Sequence, residues 1–239
     1  IMRWSMQLAM VLILALSGIC ACSPVYAPPI RGTHYGAPGR LEPGDGEINA
    51  AASMYGNGTV TGGIPLSKNL RLEVGADSGF DTGKWILGVA GLRWTMPLGS
   101  GHTAEASTAN TPYKRKGVFM DVEGGFGLGV GGELYEDDGE PSHLDQEVGS
   151  AWDRLAGGVY SGIGFGWWAA DWFALFGRVR AQISAAEDVP DTLWYSSSFG
   201  VEFRPSPVSI YLGTGFAGYL NNRDDDFGAL AEAGLSVSF

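Results

Sequence analysis

The chain has 239 residues, 38 of them Gly, with 45% apolar and 12% aromatic side chains and a formal net charge of −11. The aromatics exclude a disordered tract and the aperiodic Gly excludes collagen, while the acidic balance leaves no basic stripe to neutralise phosphates and so excludes a nucleic-acid partner. The length allows one sizeable domain, and Gly interleaved with aromatic and aliphatic residues is a composition found in closed β architectures.

The first 22 residues, IMRWSMQLAMVLILALSGICAC, carry one early Arg3, an apolar run from Leu8 to Leu16, and small residues before cysteine. That is the layout of a secretory signal peptide, with an apolar run too short to span a bilayer. Ile1 precedes Met2, which is the expected start. Ile19-Cys20-Ala21-Cys22 resembles a bacterial lipobox, with an aliphatic residue three before, and a small residue immediately before, the modified cysteine. The resemblance implies cleavage before Cys22 and its acylation; the alternative is a plain signal peptide cut near Ala27. No cysteine follows Cys22, so the mature chain has no disulfide framework, thiolate metal site or Cys nucleophile. Residues 23–45 are rich in Pro and Gly, show no period, and read as an extended periplasmic tether ahead of a domain over 46–239.

From Glu47 onward the hydrophobic period is two. Strands are expected, in order, over Ile48–Tyr55, Thr59–Ile64, from Leu70 through Ala76, Lys84–Met96, Val118–Val130, Leu155–Trp168, Phe173–Ser184, Leu193–Arg204, Val208–Leu220 and Leu230–Phe239. Around Trp85-Ile86-Leu87 both faces are apolar and the register stays open. About ten strands result, many near the length needed to cross a bilayer at a tilt.

The polar face carries Gly, Ser and Tyr with Glu47, Arg71, Glu73, Arg93, Asp121, Glu123, Arg178, Arg180, Glu202, Arg204 and Glu232, and little Lys. Arginine suits confined carboxylate pairing and glycine lets backbones close up, so this face reads as the inside of a narrow barrel, its charges an ion-pair network. The apolar face then meets lipid, where a closed barrel leaves no backbone group unpaired. Trp94, Trp167, Trp172, Phe203 and Phe239 suit the interfacial aromatic girdles. The expected fold is therefore an all-β, closed, antiparallel up-and-down transmembrane barrel. Connections are expected to alternate between tight (65–69, 169–171, 204–207) and long (55–58, 77–83, 132–153, 185–191, 221–227), with 97–115 as a misfit.

Glu232-x-Gly234-x-x-Val237-x-Phe239 resembles the carboxy-terminal β-signal of Gram-negative outer-membrane barrels. The resemblance implies an outer-membrane location, recognition of the last strand by the barrel-assembly machinery, a lipid environment, and the ring of Phe239 at the periplasmic interface. With the short connections on that side, it puts the amino end in the periplasm. The protein is expected to be a monomer.

Catalytic chemistry is sparse. His34, His102 and His143 all lie in the tether or in expected loops, so no histidine is expected beside a strand serine, and the chain reads as structural or narrow-pore, not as an enzyme. Ser196, Ser198, Ser236 and Ser238 read as lumen filling. Gly124 to Gly129 lacks the helix a nucleotide loop needs. Acidic stretches 136–140 and 224–226 lack the spacing of a calcium loop, and Lys114-Arg115-Lys116 reads as a solvated turn. No metal or cofactor is expected. The alternatives are a lipidated, soluble lipocalin-like carrier of a hydrophobic ligand, whose apolar sets would point inward, and an outer-membrane lipid hydrolase.

Overall fold

A computed structural model of the chain describes residues 27–42, 44–79, 84–98, 116–132, 154–187, 189–221 and 225–239. These form ten strands: β1 (Glu47–Ser53), β2 (Asn57–Pro65), β3 (Leu70–Gly79), β4 (Lys84–Leu98), β5 (Gly117–Gly132), β6 (Leu155–Ala170), β7 (Phe173–Ala186), β8 (Val189–Phe203), β9 (Val208–Leu220) and β10 (Asp225–Ser238). Every strand pairs antiparallel with its sequence neighbours, and β1 pairs with β10 to close a barrel. Closure removes the open edges that would otherwise leave backbone groups unpaired.

The period-two pattern decides which side chains share a face. Along β5, Phe119, Asp121 and Glu123 are buried, whereas Val118, Val122, Phe126 and Leu128 are exposed. The uncertain start of β4 resolves the same way: Trp85, Leu87 and Val89 face inward and Ile86 outward. Leu212, Phe216 and Val237 also lie on the exterior, so the apolar sets do not converge on a centre.

Two strands run further than the sequence pattern indicates. β8 begins at Val189, not Leu193, and contains Pro190. Its ladder with β9 starts only at Leu193 opposite Leu220, so Pro190 sits where that neighbour has ended and an N–H can be spared. β10 begins at Asp225, within the acidic stretch read as a loop. These extensions leave only 187–188 between β7 and β8 and 221–224 between β9 and β10. The expected alternation of tight and long connections is therefore corrected: the long ones, 99–116 and 133–154, fall one at each mouth.

The largest departure concerns residues 27–41, expected as part of a free tether. Ala27, Ile30, Arg31, Thr33, His34, Tyr35, Ala37, Arg40 and Leu41 are all buried. They are inside the barrel. The inner surface of the wall is shaped to receive them: Ile30 nests among Trp85, Leu87, Val89, Ala156 and Tyr160. A Cβ on Gly127 would stand 2.7 Å from Ile30 Cγ2, so the absence of a side chain there makes the room.

Candidate functional site

The lumen is the site the fold defines. Alternation on the strands sends Arg71, Glu73, Arg93, Asp121, Glu123, Arg178, Arg180, Glu202, Arg204 and Glu232 inward, and all ten are buried. A connected ion-pair cluster forms from six of them. Arg178 grips Asp121 with two parallel bonds, NH1 to Oδ1 at 3.0 Å and NH2 to Oδ2 at 2.6 Å. Arg180 lies 2.6 Å from Glu123, and Arg93 reaches Glu73 at 3.0 Å and Glu123 at 3.4 Å. Bidentate guanidinium–carboxylate geometry of this kind gives orientation as well as attraction.

The other four are arranged differently. Arg71 and Arg204 lie near the mouth that bears the carboxy terminus: Arg71 donates to the carbonyls of Glu42 and Asp45, and Arg204 to the hydroxyl of Ser238. Glu202 and Glu232 are held by the inner segment. Glu202 accepts from the Ala37 N–H and the Ser209 hydroxyl, and Glu232 accepts the His34 N–H at 2.8 Å.

The inner segment also brings charges the strand pattern alone does not supply. Arg31 lies 3.4 Å from Asp77 and 4.0 Å from Glu73, and Arg40 lies 2.7 Å from Glu47. Tyr35 is stacked in the middle, with the Arg93 guanidinium 3.3 Å from its ring centroid. Among the described residues, seven buried arginines thus face seven buried carboxylates: Arg31, Arg40, Arg71, Arg93, Arg178, Arg180 and Arg204 against Glu47, Glu73, Asp77, Asp121, Glu123, Glu202 and Glu232. Two of those arginines belong to the inner segment, so the wall by itself carries an excess of negative charge. Parity gave a signal for Asp77, which shares the phase of Arg71 and Glu73. The imbalance between wall arginines and wall carboxylates was a signal that two cations were missing.

One expectation about chemistry is corrected here. His34 does reach a strand serine: Ser196 Oγ lies 3.0 Å from its Nε2, and Glu232 Oε2 lies 3.2 Å from its Nδ1. The threading of the amino-terminal segment, invisible to strand-by-strand reading, makes that contact. Ser198 donates to the same carboxylate at 2.8 Å. Tyr211 donates to the His34 carbonyl at 2.5 Å.

In the carboxy-terminal motif, Glu232 faces inward on His34, Val237 and Phe239 face outward, and Gly234 sits where a Cβ would meet the ring of Tyr211. The aromatics fall in two bands. Trp172, Phe173 and Phe203 cluster toward the mouth of Phe239, and Phe227 stacks with Tyr195 and Phe216 toward the other. Cys22, His102, His143, Lys114, Arg115, residues 136–140 and Asp224 lie outside the described residues.

Fold and lumen together define a closed ten-strand antiparallel barrel with an apolar exterior and an ionic interior filled by its own chain. No family model matches the sequence, and no curated protein matches it.

Proposed function

We propose that this protein is a small barrel of a bacterial outer membrane, structural or at most narrowly conducting, its lumen sealed by residues 27–41. The carrying observation is the exterior. Ile48, Val60, Val74, Leu92, Leu128, Val159, Val179, Phe199 and Leu212 all project from it, and each is more than two-fifths exposed. A continuous apolar belt of that extent around a charged interior inverts the pattern of a soluble barrel. Eight positions of β8 separate Tyr195 from Phe203 in the two aromatic bands. At about 3.3 Å per residue and a tilt near 40° they stand about 20 Å apart along the axis, close to the height of a lipid-facing band. The same outward belt argues against a soluble carrier.

On this reading outer-membrane lipid covers the belt, the barrel-assembly machinery reads Glu232, Gly234, Val237 and Phe239, the protein is monomeric, and Cys22 is acylated. The test is extraction from membranes and electrophoresis with and without heating. Dependence on detergent and a heat-modifiable mobility are expected. A chain that remains monodisperse in buffer without detergent after removal of residues 1–22 defeats the proposal.

A second reading, a hydrolase, is favoured by one observation: Ser196, His34 and Glu232 make the hydrogen-bond sequence of a nucleophile, base and orienting carboxylate. Glu232 is also committed to Ser198 and to a backbone N–H, a pattern that suits a brace for the inner segment. Treatment of the folded protein with a fluorophosphonate probe separates the two. Labelling that disappears in Ser196→Ala selects the hydrolase; an unlabelled protein selects the brace.

A further inference from the structure

The inner segment crosses the lumen in one direction without doubling back. Its partners on the inward face of β7 are met in strict order. The Ser184 hydroxyl donates to the Ala27 carbonyl, Gln182 exchanges bonds with the backbone of Arg31, Arg180 donates to the Thr33 carbonyl, and Arg178 to the Gly36 carbonyl. The segment therefore runs antiparallel to β7 through four successive inward positions.

Its two ends lie at opposite mouths. At one end, Trp168 near the end of β6 donates to the Pro38 carbonyl, Arg40 pairs with Glu47, and Gly46 exchanges backbone bonds with Phe239. At the other, the Ala27 N–H donates to Thr192 and its carbonyl accepts from Trp194, beside the β7–β8 connection. Fifteen residues reach at most about 50 Å, ample for the crossing. Arg31 and Arg40, one toward each end, are the two cations that bring the lumen to balance.

We infer that the barrel threads its own amino-terminal segment and presents the chain preceding Ala27 at the mouth opposite Phe239, the outward-facing one, so that Cys22 and its acyl chains meet the outer surface of the membrane. This rests on the outer-membrane reading with Phe239 on the periplasmic side. It replaces the expectation of an amino end left in the periplasm. Cys22 lies only five positions before Ala27, a reach of at most about 18 Å, so an acylated Cys22 would be held close to the rim of that mouth.

Two experiments on the full chain separate the parts of this inference. In a variant with Cys20 and Cys22 replaced by Ala, new cysteines at Ala27 and Thr192 should cross-link nearly completely on oxidation, whereas a pair at Leu41 and Thr192 should not. Failure of the first pair in a protein that is otherwise heat-modifiable overturns the threading and leaves the membrane reading intact. In cells, one epitope is inserted after Pro24, or within 133–153, or within 99–116, and antibody binding is compared before and after permeabilising the outer membrane. The Pro24 and 133–153 epitopes should bind on intact cells, and the 99–116 epitope only after permeabilisation, with at least a tenfold difference. If the Pro24 epitope follows the 99–116 epitope, or both it and the 133–153 epitope stay hidden until permeabilisation, outward presentation is wrong. Recovery of all three proteins without detergent removes the membrane reading, while the cross-link still reports on the threading.

Discussion

The two sides of the lumen are neutralised by different means. On β4, β5 and β7, wall charges answer one another: Arg178 holds Asp121, Arg180 holds Glu123, and Arg93 bridges to Glu123 and to Glu73 on β3. On β1, the far part of β3, β8 and β10, the carboxylates Glu47, Asp77, Glu202 and Glu232 are met by Arg40, Arg31, the Ala37 N–H and His34, all from the inner segment. The ion pairs of the first side are complete as soon as the strands close, and the segment adds carbonyl acceptors for Arg178 and Arg180 and a more distant Arg31, 4.0 Å from Glu73. The second stays incomplete until residues 27–41 are in place, and buried carboxylates without partners are costly. The segment is therefore part of the folded wall's charge balance and not a loose insertion.

The largest effect should come from removing that contribution altogether. Replacing residues 27–41 by a Gly/Ser linker of equal length takes out both segment arginines and the core formed around Ile30 and Tyr35. Five wall arginines then face seven carboxylates across an emptied lumen, among the described residues. The variant should conduct in a planar bilayer well above the parent, and its reversal potential in a salt gradient should show selectivity for cations. An anion-selective or closed variant would break the comparison.

Next in size is damage to the self-neutralised side. Arg178→Met removes the two-pronged partner of Asp121 and the donor to the Gly36 carbonyl. Asp121 then keeps only the Arg93 Nε 3.9 Å away and loses both of its hydrogen bonds from Arg178, which should cost about 3 kcal/mol, measured as a shift of the urea unfolding midpoint in detergent micelles. Asp121→Asn placed on top should recover part of the loss. Across the lumen, Arg31→Gln should cost less, about 2 kcal/mol, because Asp77 keeps the Gly32 N–H at 3.0 Å and the Thr59 hydroxyl. Combined with Asp77→Asn, it should show a coupling of about 1 kcal/mol, which isolates the contact between segment and wall.

The sequence carried much of the wall and little of what fills it. Alternation made Arg178 and Asp121 inward and Phe216 and Leu212 outward, because a period of two fixes both faces of a strand once one is known. Strand ends were less legible: Pro190 looks like a terminator unless it is known that β9 has already stopped opposite Leu193. The inner segment had no period to read. Its Pro and Gly fit a free tether and a lumen-filling extended chain equally, since neither needs regular backbone pairing. Nothing local therefore marks His34, although the strand pattern puts its partners Ser196 and Glu232 on the inward face. What distinguishes the two fates of the segment is long range, namely the supply of cations to a wall that lacks them.

The smallest expected effect is also the one that tests the comparison most closely. His34→Gln removes a ring bonded on either side to Glu232 and Ser196, yet the carboxylate keeps the N–H of residue 34 and the Ser198 hydroxyl. With two of its partners retained, the loss should be about 1 kcal/mol, and Ser196→Ala should add little to it. The ranking follows from how each side is built: a carboxylate served by several neutral donors tolerates the removal of one, whereas Asp121 takes both of its short bonds from a single guanidinium. If His34→Gln proves as damaging as Arg178→Met, His34 carries a charge that the lumen needs. The side completed by the segment would then be an ion-pair wall like the other, and the contrast between them would disappear.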